Sequence, residues 1–313
     1  METAKRERIR YDDVPLVFLS VFEHNSNLLP WREVGCEVQI IPATEDCDFD
    51  YELLEQKLRQ HRSDKRIIIG AFSAGSNITG NLYDVDRISV ACHKNNALAV
   101  FDYAAVGPYQ EINFNGINES RVFTHKIPNE DLPYCYKDAL FISPHKFVGG
   151  PGTSGILLAK KKLLRDRKPE RVGGGPVFYV NELEHEFEAN IEDLEESGTP
   201  GILQDIRAAL AFQLKDQISF RTIHEMDERI HKRVIEGLLK IPNVMVLGNN
   251  RLPKVPIYSF IIRSRTGKLL HFNFVTSLLN DLFGIQVRGG CSCAAIYGQK
   301  ILGIDLHKSR EYK

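Results

Sequence analysis

Short, almost uninterrupted apolar runs alternate with amphipathic stretches through the first half of this 313-residue chain. Pro15-Leu16-Val17-Phe18-Leu19-Ser20-Val21-Phe22, Ile67 to Phe72, Ala97 to Asp102, Ala139 to Ile142 and Gly155 to Ala159 read as buried strands. Between them, Tyr51 to Arg62 carries Leu53, Leu54 and Leu58 at helical spacing, and Asp84 is placed to cap a helix running to about Asn96. Strands that are apolar throughout cannot leave one face in water. With helices between them, they are the pattern of a parallel sheet covered on both sides. The predicted class is therefore α/β, a mostly parallel sheet sandwiched by helices. Further on, helices are predicted over Ile202–Gln217 and Thr222–Leu239. From about Pro242 a strand, a helix over Leu269–Phe283 and a second strand follow. At roughly 150 residues per domain, this divides into a large domain over 1–215 and a smaller α/β domain over 216–313.

Charge and patterning exclude several functions. Forty basic side chains against 41 acidic ones leave a net charge of −1, so no strong field draws nucleic acid or an anionic membrane. The apolar runs fall far short of the ~20 residues that span a bilayer. The charged start, Met1 to Arg8, has no apolar segment behind it, and no secretory signal is expected. Six unevenly spaced cysteines argue for free thiols in a reducing compartment. Cys291-Ser292-Cys293 has no second Cys or His pair at zinc spacing. The expected location is the cytoplasm, or the mitochondrion where a targeting segment precedes Met1.

No GxGxxG follows a strand and no GxxxxGK[ST] occurs, which removes the main support for a Rossmann or P-loop site. The informative segment is Phe141-Ile142-Ser143-Pro144-His145-Lys146-Phe147-Val148-Gly149-Gly150-Pro151-Gly152. It puts a lysine just past the C-terminal end of a buried strand, where open α/β sheets build their sites. A partly desolvated lysine is a nucleophile for an aldehyde, and Ser143 and His145 are placed to donate to an anion. Lys146 is also readable as a surface lysine following a strand. Asp102 can hold a protonated pyridine nitrogen or serve only as a cap. His24 in Glu23-His24-Asn25-Ser26-Asn27 can stack on an aromatic cofactor and carry protons, or cap a turn. Asn77 in Ser76-Asn77-Ile78-Thr79-Gly80 is a donor to a phenolic oxygen or part of a plain turn.

Taken in order, Glu23 to Trp31, Ser76 to Gly80, Asp102, Ser143 to Lys146, Ser197-Gly198-Thr199-Pro200 and Val287 to Ala294 resemble the motifs of class V aminotransferases. The resemblance is to the cysteine desulfurase/selenocysteine lyase-like branch and covers roughly Pro15 to Gly303. It implies a PLP-dependent, fold-type-I enzyme acting on an amino acid. By position, Lys146 resembles the residue that forms the internal aldimine with pyridoxal 5′-phosphate, and Ser143 and His145 its neighbours at the cofactor phosphate. Asp102 resembles the partner of the pyridine nitrogen, His24 the stacking ring and Asn77 the donor to the phenolic oxygen. Thr199 matches a threonine that reaches the neighbouring subunit's cofactor, which implies a homodimer. Cys293 falls where desulfurases keep the persulfide-forming cysteine, and Arg288, five residues earlier, is assigned to substrate. A buried structural thiol is the other reading of Cys293. Aminotransferase, epimerase or lyase chemistry without a persulfide, and a catalytically inactive PLP-fold binding protein, stay open.

Two departures from the family pattern stand out. Ala105 occupies the position where desulfurases commonly place Gln or His three residues after the aspartate. Family members also carry a long segment before the stacking histidine and further elements past the equivalent of Lys313. The resemblance thus implies a fragment, short isoform or truncated form of a longer enzyme. Such a chain is expected to fold poorly alone and to bind PLP weakly.

Overall fold

The computed structural model describes residues 14–119, 122–164, 168–290 and 292–311. Its centre is a six-stranded sheet of β1 (Leu16–Ser20), β2 (Glu37–Ile41), β3 (Ile68–Ser73), β4 (Leu98–Asp102), β5 (Ala139–Ile142) and β6 (Ile156–Ala159). The strand order is β2-β1-β3-β4-β5-β6. All neighbours are parallel except β5 and β6. α1 (Leu29–Glu33), α2 (Tyr51–His61) and α3 (Val85–Lys94) make the crossovers between the first four strands.

The apolar runs end up where their composition requires. All five residues of β1 are buried, and β3, β4 and β5 are mostly so. Phe18, Phe72, Ile88, Cys92 and Leu58 pack into one cluster on one side of the sheet, while Val17, Leu19, Ala71 and Val100 form a second. Alternate residues of one strand feeding two clusters is what a sheet covered on both faces demands. Gly70 is one place where bulk is excluded: a Cβ there would lie 2.7 Å from Cys92 Sγ, so α3 sits this close only over glycine. The helix starts are capped as their sequences suggest. Asp50 accepts from Leu53 N at 2.9 Å and Asp84 from Arg87 N at 3.2 Å.

The sheet is mostly parallel as expected, and three details differ from or add to the sequence reading. β2 is a strand that apolar-run reading passes over, because Glu37 and Gln39 alternate with Val38 and Ile40 on a half-buried edge. β6 runs antiparallel, with Leu157 58% and Leu158 40% exposed on opposite faces. Among the described residues no strand follows the helix over 272–283; residues 284–290 form an irregular, mostly exposed connection instead.

Beyond β6 come the hairpin β7 (Val177–Val180) and β8 (His185–Phe187), then α4 (Ile191–Glu195), α5 (Ile202–Ile218) and α6 (Phe220–Leu239). The antiparallel pair β9 (Val244–Val246) and β10 (Phe260–Ile262) precedes α7 (Phe272–Phe283), α8 (Ala295–Ile301) and α9 (Leu306–Glu311). Among the described residues, no helix is long and apolar enough to cross a membrane.

Candidate active site

With β2 on one side of β1 and β3 on the other, chain direction across the sheet reverses between β1 and β3. Crevices at such switch points, outside the carboxyl ends of the strands, are where open α/β sheets bind ligands. A pocket of about 620 Å³ opens there. His24, Asn77, Asp102, Ser143, His145 and Lys146 all line it.

Each side chain is delivered by a strand end. After β1, His24 caps a single 3₁₀ turn over Asn25–Asn27, its Nδ1 accepting Ser26 N at 3.1 Å. An accepting Nδ1 leaves the ring proton on Nε2. Burial holds the His24 pKa below its usual value; Asp102 opposes this, and Lys146 and Arg288 add to it. The shift favours the neutral imidazole. Asp102 closes β4, and its Oδ1 accepts Ala104 N at 2.8 Å. The cap and the pocket position coexist in this residue. Burial raises its pKa, while the Ala104 amide and the charges of Lys146 and His24 work against the rise.

Lys146 is the last residue of a 3₁₀ turn over Pro144–Lys146 that follows β5, with its amide donating to the Ser143 carbonyl at 3.0 Å. The chain doubles back closely under this turn. A Cβ at Gly150 would sit 1.9 Å from the Pro144 oxygen, so no other residue fits there. Behind the turn, Lys215 of α5 donates to the Gly107 carbonyl at 2.7 Å and to that of Gln110, and its ammonium lies 5.5 Å from the Phe147 ring. Burial pushes the Lys215 pKa down to about 8. This brace between α5, the loop after β4 and the lysine turn was not visible in the sequence, since a lysine in a helix carries no signal of its long-range acceptors.

Cys293 and Arg288 do not line the pocket but are held beside it. Arg288 Nη2 donates to Cys293 Sγ at 3.3 Å. The Cys293 carbonyl accepts Asn25 N at 2.6 Å, the Ser292 carbonyl accepts Asn77 Nδ2 at 2.7 Å, and Asn25 Oδ1 accepts Ala295 N at 3.3 Å. Cys293 is half-buried and has φ +58, a region that side chains rarely adopt. Thr199 lies apart from the pocket, on an exposed loop. Ala104 and Ala105 line the wall beyond Asp102, so position 105 offers no side-chain donor. Among the described residues, no group of three or more His, Cys, Asp or Glu side chains is placed to hold a metal.

Solved structures share this mostly parallel, helix-covered sheet, the fold-type-I class of α/β proteins. The cysteine desulfurase of Thermococcus onnurineus NA1 superposes with a TM-score of 0.73 at 22% identity, over 96% of this chain and 72% of that one. A C-DES mutant, solved with glycine covalently linked to its PLP cofactor, gives 0.65 at 16% identity, over 95% and 75%. The sequence model of the family described as Aminotransferase class-V matches residues 11–304. The chain belongs to that family. Among curated relatives, a probable cysteine desulfurase 2 of Mycobacterium leprae (strain TN) is 26% identical over 289 residues. That match covers 90% of this chain and 61% of the relative, so the chain spans about three-fifths of the relative's length.

Proposed function

We propose that this chain carries the cofactor-binding lysine of a PLP-dependent enzyme that acts on an amino acid in the manner of a cysteine desulfurase. One observation carries the reading: Lys146, the half-buried Asp102 carboxyl and His24 converge on one pocket at the switch point of the sheet. The donor set fits pyridoxal phosphate. A primary amine faces a carboxylate and an imidazole, and Ser143 and His145 share the lysine turn and are suited to an anion. When bound, that cofactor supplies an aldehyde carbon and a ring that withdraws electrons from the substrate Cα.

The chain's own residues have distinct tasks in this proposal. Lys146 holds the cofactor through its amine and, when released, moves the proton at the substrate Cα. Asp102 keeps a proton on the pyridine nitrogen through a charge-assisted hydrogen bond. The neutral His24 ring is suited to stacking, since it brings no charge against an aromatic face. Asn77 has one amide hydrogen on Ser292, and an NH₂ group has two, so the other remains for a phenolic oxygen. Arg288 Nη2 donates to Cys293 Sγ, the atom that would attack the substrate sulfur and keep it as a persulfide as the substrate Cβ–S bond breaks. Thr199 belongs to the pocket of a second copy. The exposed Phe178, Tyr179 and Val180 of β7 support a homodimer. The proposed division into 1–215 and 216–313 falls in the last turn of α5, three residues before Ser219.

A second reading has its own support. Cys293 does not line the pocket, which favours transamination, epimerisation or elimination without a persulfide, while Ala105 in place of a donor favours an inactive binding protein. Adding PLP tests the common core of both readings. A yellow absorbance band in the unmodified chain, lost in Lys146→Ala, is the expected result. Folded protein without a band points to an inactive binding protein. Sulfide release from cysteine, set against amino transfer to a keto acid, decides between the two chemistries.

A further inference from the structure

Glu23 is a buried ionisable group for which the proposed chemistry has no use. It stands beside His24 just past β1 and is 2% exposed. Among the described residues five hydrogen bonds reach it, all from neutral donors. Oε1 accepts Ser20 N at 3.3 Å and the Ser20 hydroxyl. Oε2 accepts Asn27 Nδ2 at 2.7 Å, Ser73 N at 2.9 Å and Ser73 Oγ at 2.8 Å. An ionised carboxylate only accepts, so this donor set matches the charged form. Burial opposes the charge and pushes the carboxyl up to about 7.

The partners of Glu23 extend into the pocket wall. Asn27, Ser73 and Trp31 all line the pocket. The Asn27 amide cannot turn round, because Nδ2 also donates to the Ala71 carbonyl at 3.2 Å and Oδ1 accepts the Trp31 indole at 3.2 Å. Ser20 N and Ser73 N are fixed in their strands. Only the two serine hydroxyls can reverse, so a proton gained by Glu23 turns Ser20 Oγ or Ser73 Oγ from donor to acceptor and changes the hydrogen bonding that ties the end of β1 to β3. Of the titratable groups around it, the buried Tyr83 phenol, stacked on Phe22 at 4.7 Å, feels the Glu23 charge and that of Tyr297. Asp102, Lys146 and Arg288 are the charged groups that act on the neighbouring His24.

We propose that Glu23 is a positioning residue: through Ser20, Asn27 and Ser73 its carboxylate orients the His24–Trp31 wall of the pocket, and that wall follows its ionisation. The importance of the wall rests on the proposed use of the pocket, but the test needs no cofactor. Trp31 is the only tryptophan of the chain, so its emission reports this wall alone. In the full chain with no PLP added, the emission maximum should shift through a one-proton transition between about pH 5 and 9. Glu23→Gln should abolish the shift and His24→Gln should retain it. Ser73→Ala removes a donor to the charged form and should move the midpoint to higher pH, a readout that survives even where Glu23→Gln does not fold. A flat profile in the unmodified chain, a shift that persists in Glu23→Gln, its loss in His24→Gln, or an unmoved midpoint in Ser73→Ala overturns the proposal. PLP absorbance is scored separately. Protein that binds no PLP yet keeps the Trp31 transition supports this inference while overturning the cofactor reading.

Discussion

The Asn77 side-chain amide donates to the Ser292 carbonyl at 2.7 Å, joining two turns that lie 215 residues apart in the chain. With the bond from Asn25 N to the Cys293 carbonyl, it pins the cysteine turn against the ends of β1 and β3. Asn77→Ala leaves that carbonyl short of a partner and should cost about 1 kcal/mol of stability. It should also speed alkylation of Cys293, measured by peptide mapping. An unchanged rate would mean that the turn is held by other contacts.

Stability should fall as pH rises through the range of Glu23. Burial pushes its carboxyl from 4.5 to about 7. Between these values the folded chain keeps a proton that the unfolded chain has released. The contribution is complete below the unfolded pKa and is lost as pH climbs through the folded one. At ~1.4 kcal/mol per unit the loss is on the order of 3 kcal/mol. Urea midpoints taken across this range should drop more for the unmodified chain than for Glu23→Gln, and parallel curves would contradict the assignment.

Asp102→Asn should lower turnover far more than it weakens PLP binding. An amide fills the same space and keeps a polar contact but cannot hold a proton on the ring nitrogen. The loss should be on the order of 100-fold, the scale of removing one charge-stabilising contact. Steady-state rates alongside a PLP binding titration measure the split, and equal turnover in the variant would take Asp102 out of the chemistry.

The sheet was legible because its strands are unusually plain. β1, β3 and β4 are apolar nearly end to end, and the residues after them carry the polar groups of the pocket. β2 was not legible, because Glu37 and Gln39 break the run on a strand with one neighbour. The antiparallel sense of β6 leaves no trace in its composition. For the pocket, His24, Asn77, Asp102 and Lys146 were visible from their places after strands. The Glu23 carboxylate was hidden because its decisive partner, Ser73, is fifty residues away. Lys215 was hidden for the same reason, since backbone carbonyls have no sequence signature.

Cys293 decides the branch of chemistry. In a desulfurase, Cys293→Ser should stop sulfide release from cysteine in the presence of reductant and leave the PLP absorbance intact. Serine keeps the size of the side chain but forms no thiolate at neutral pH. Amino transfer to a keto acid that is indifferent to this substitution would select the reading without a persulfide.

The central claim, that Lys146 is the residue to which the cofactor is bound, is tested most directly by borohydride reduction of the PLP-treated chain followed by peptide mapping. One pyridoxyl label is expected, on the peptide containing Lys146, and none in Lys146→Ala. A label on another lysine, or no label on folded protein, would contradict it.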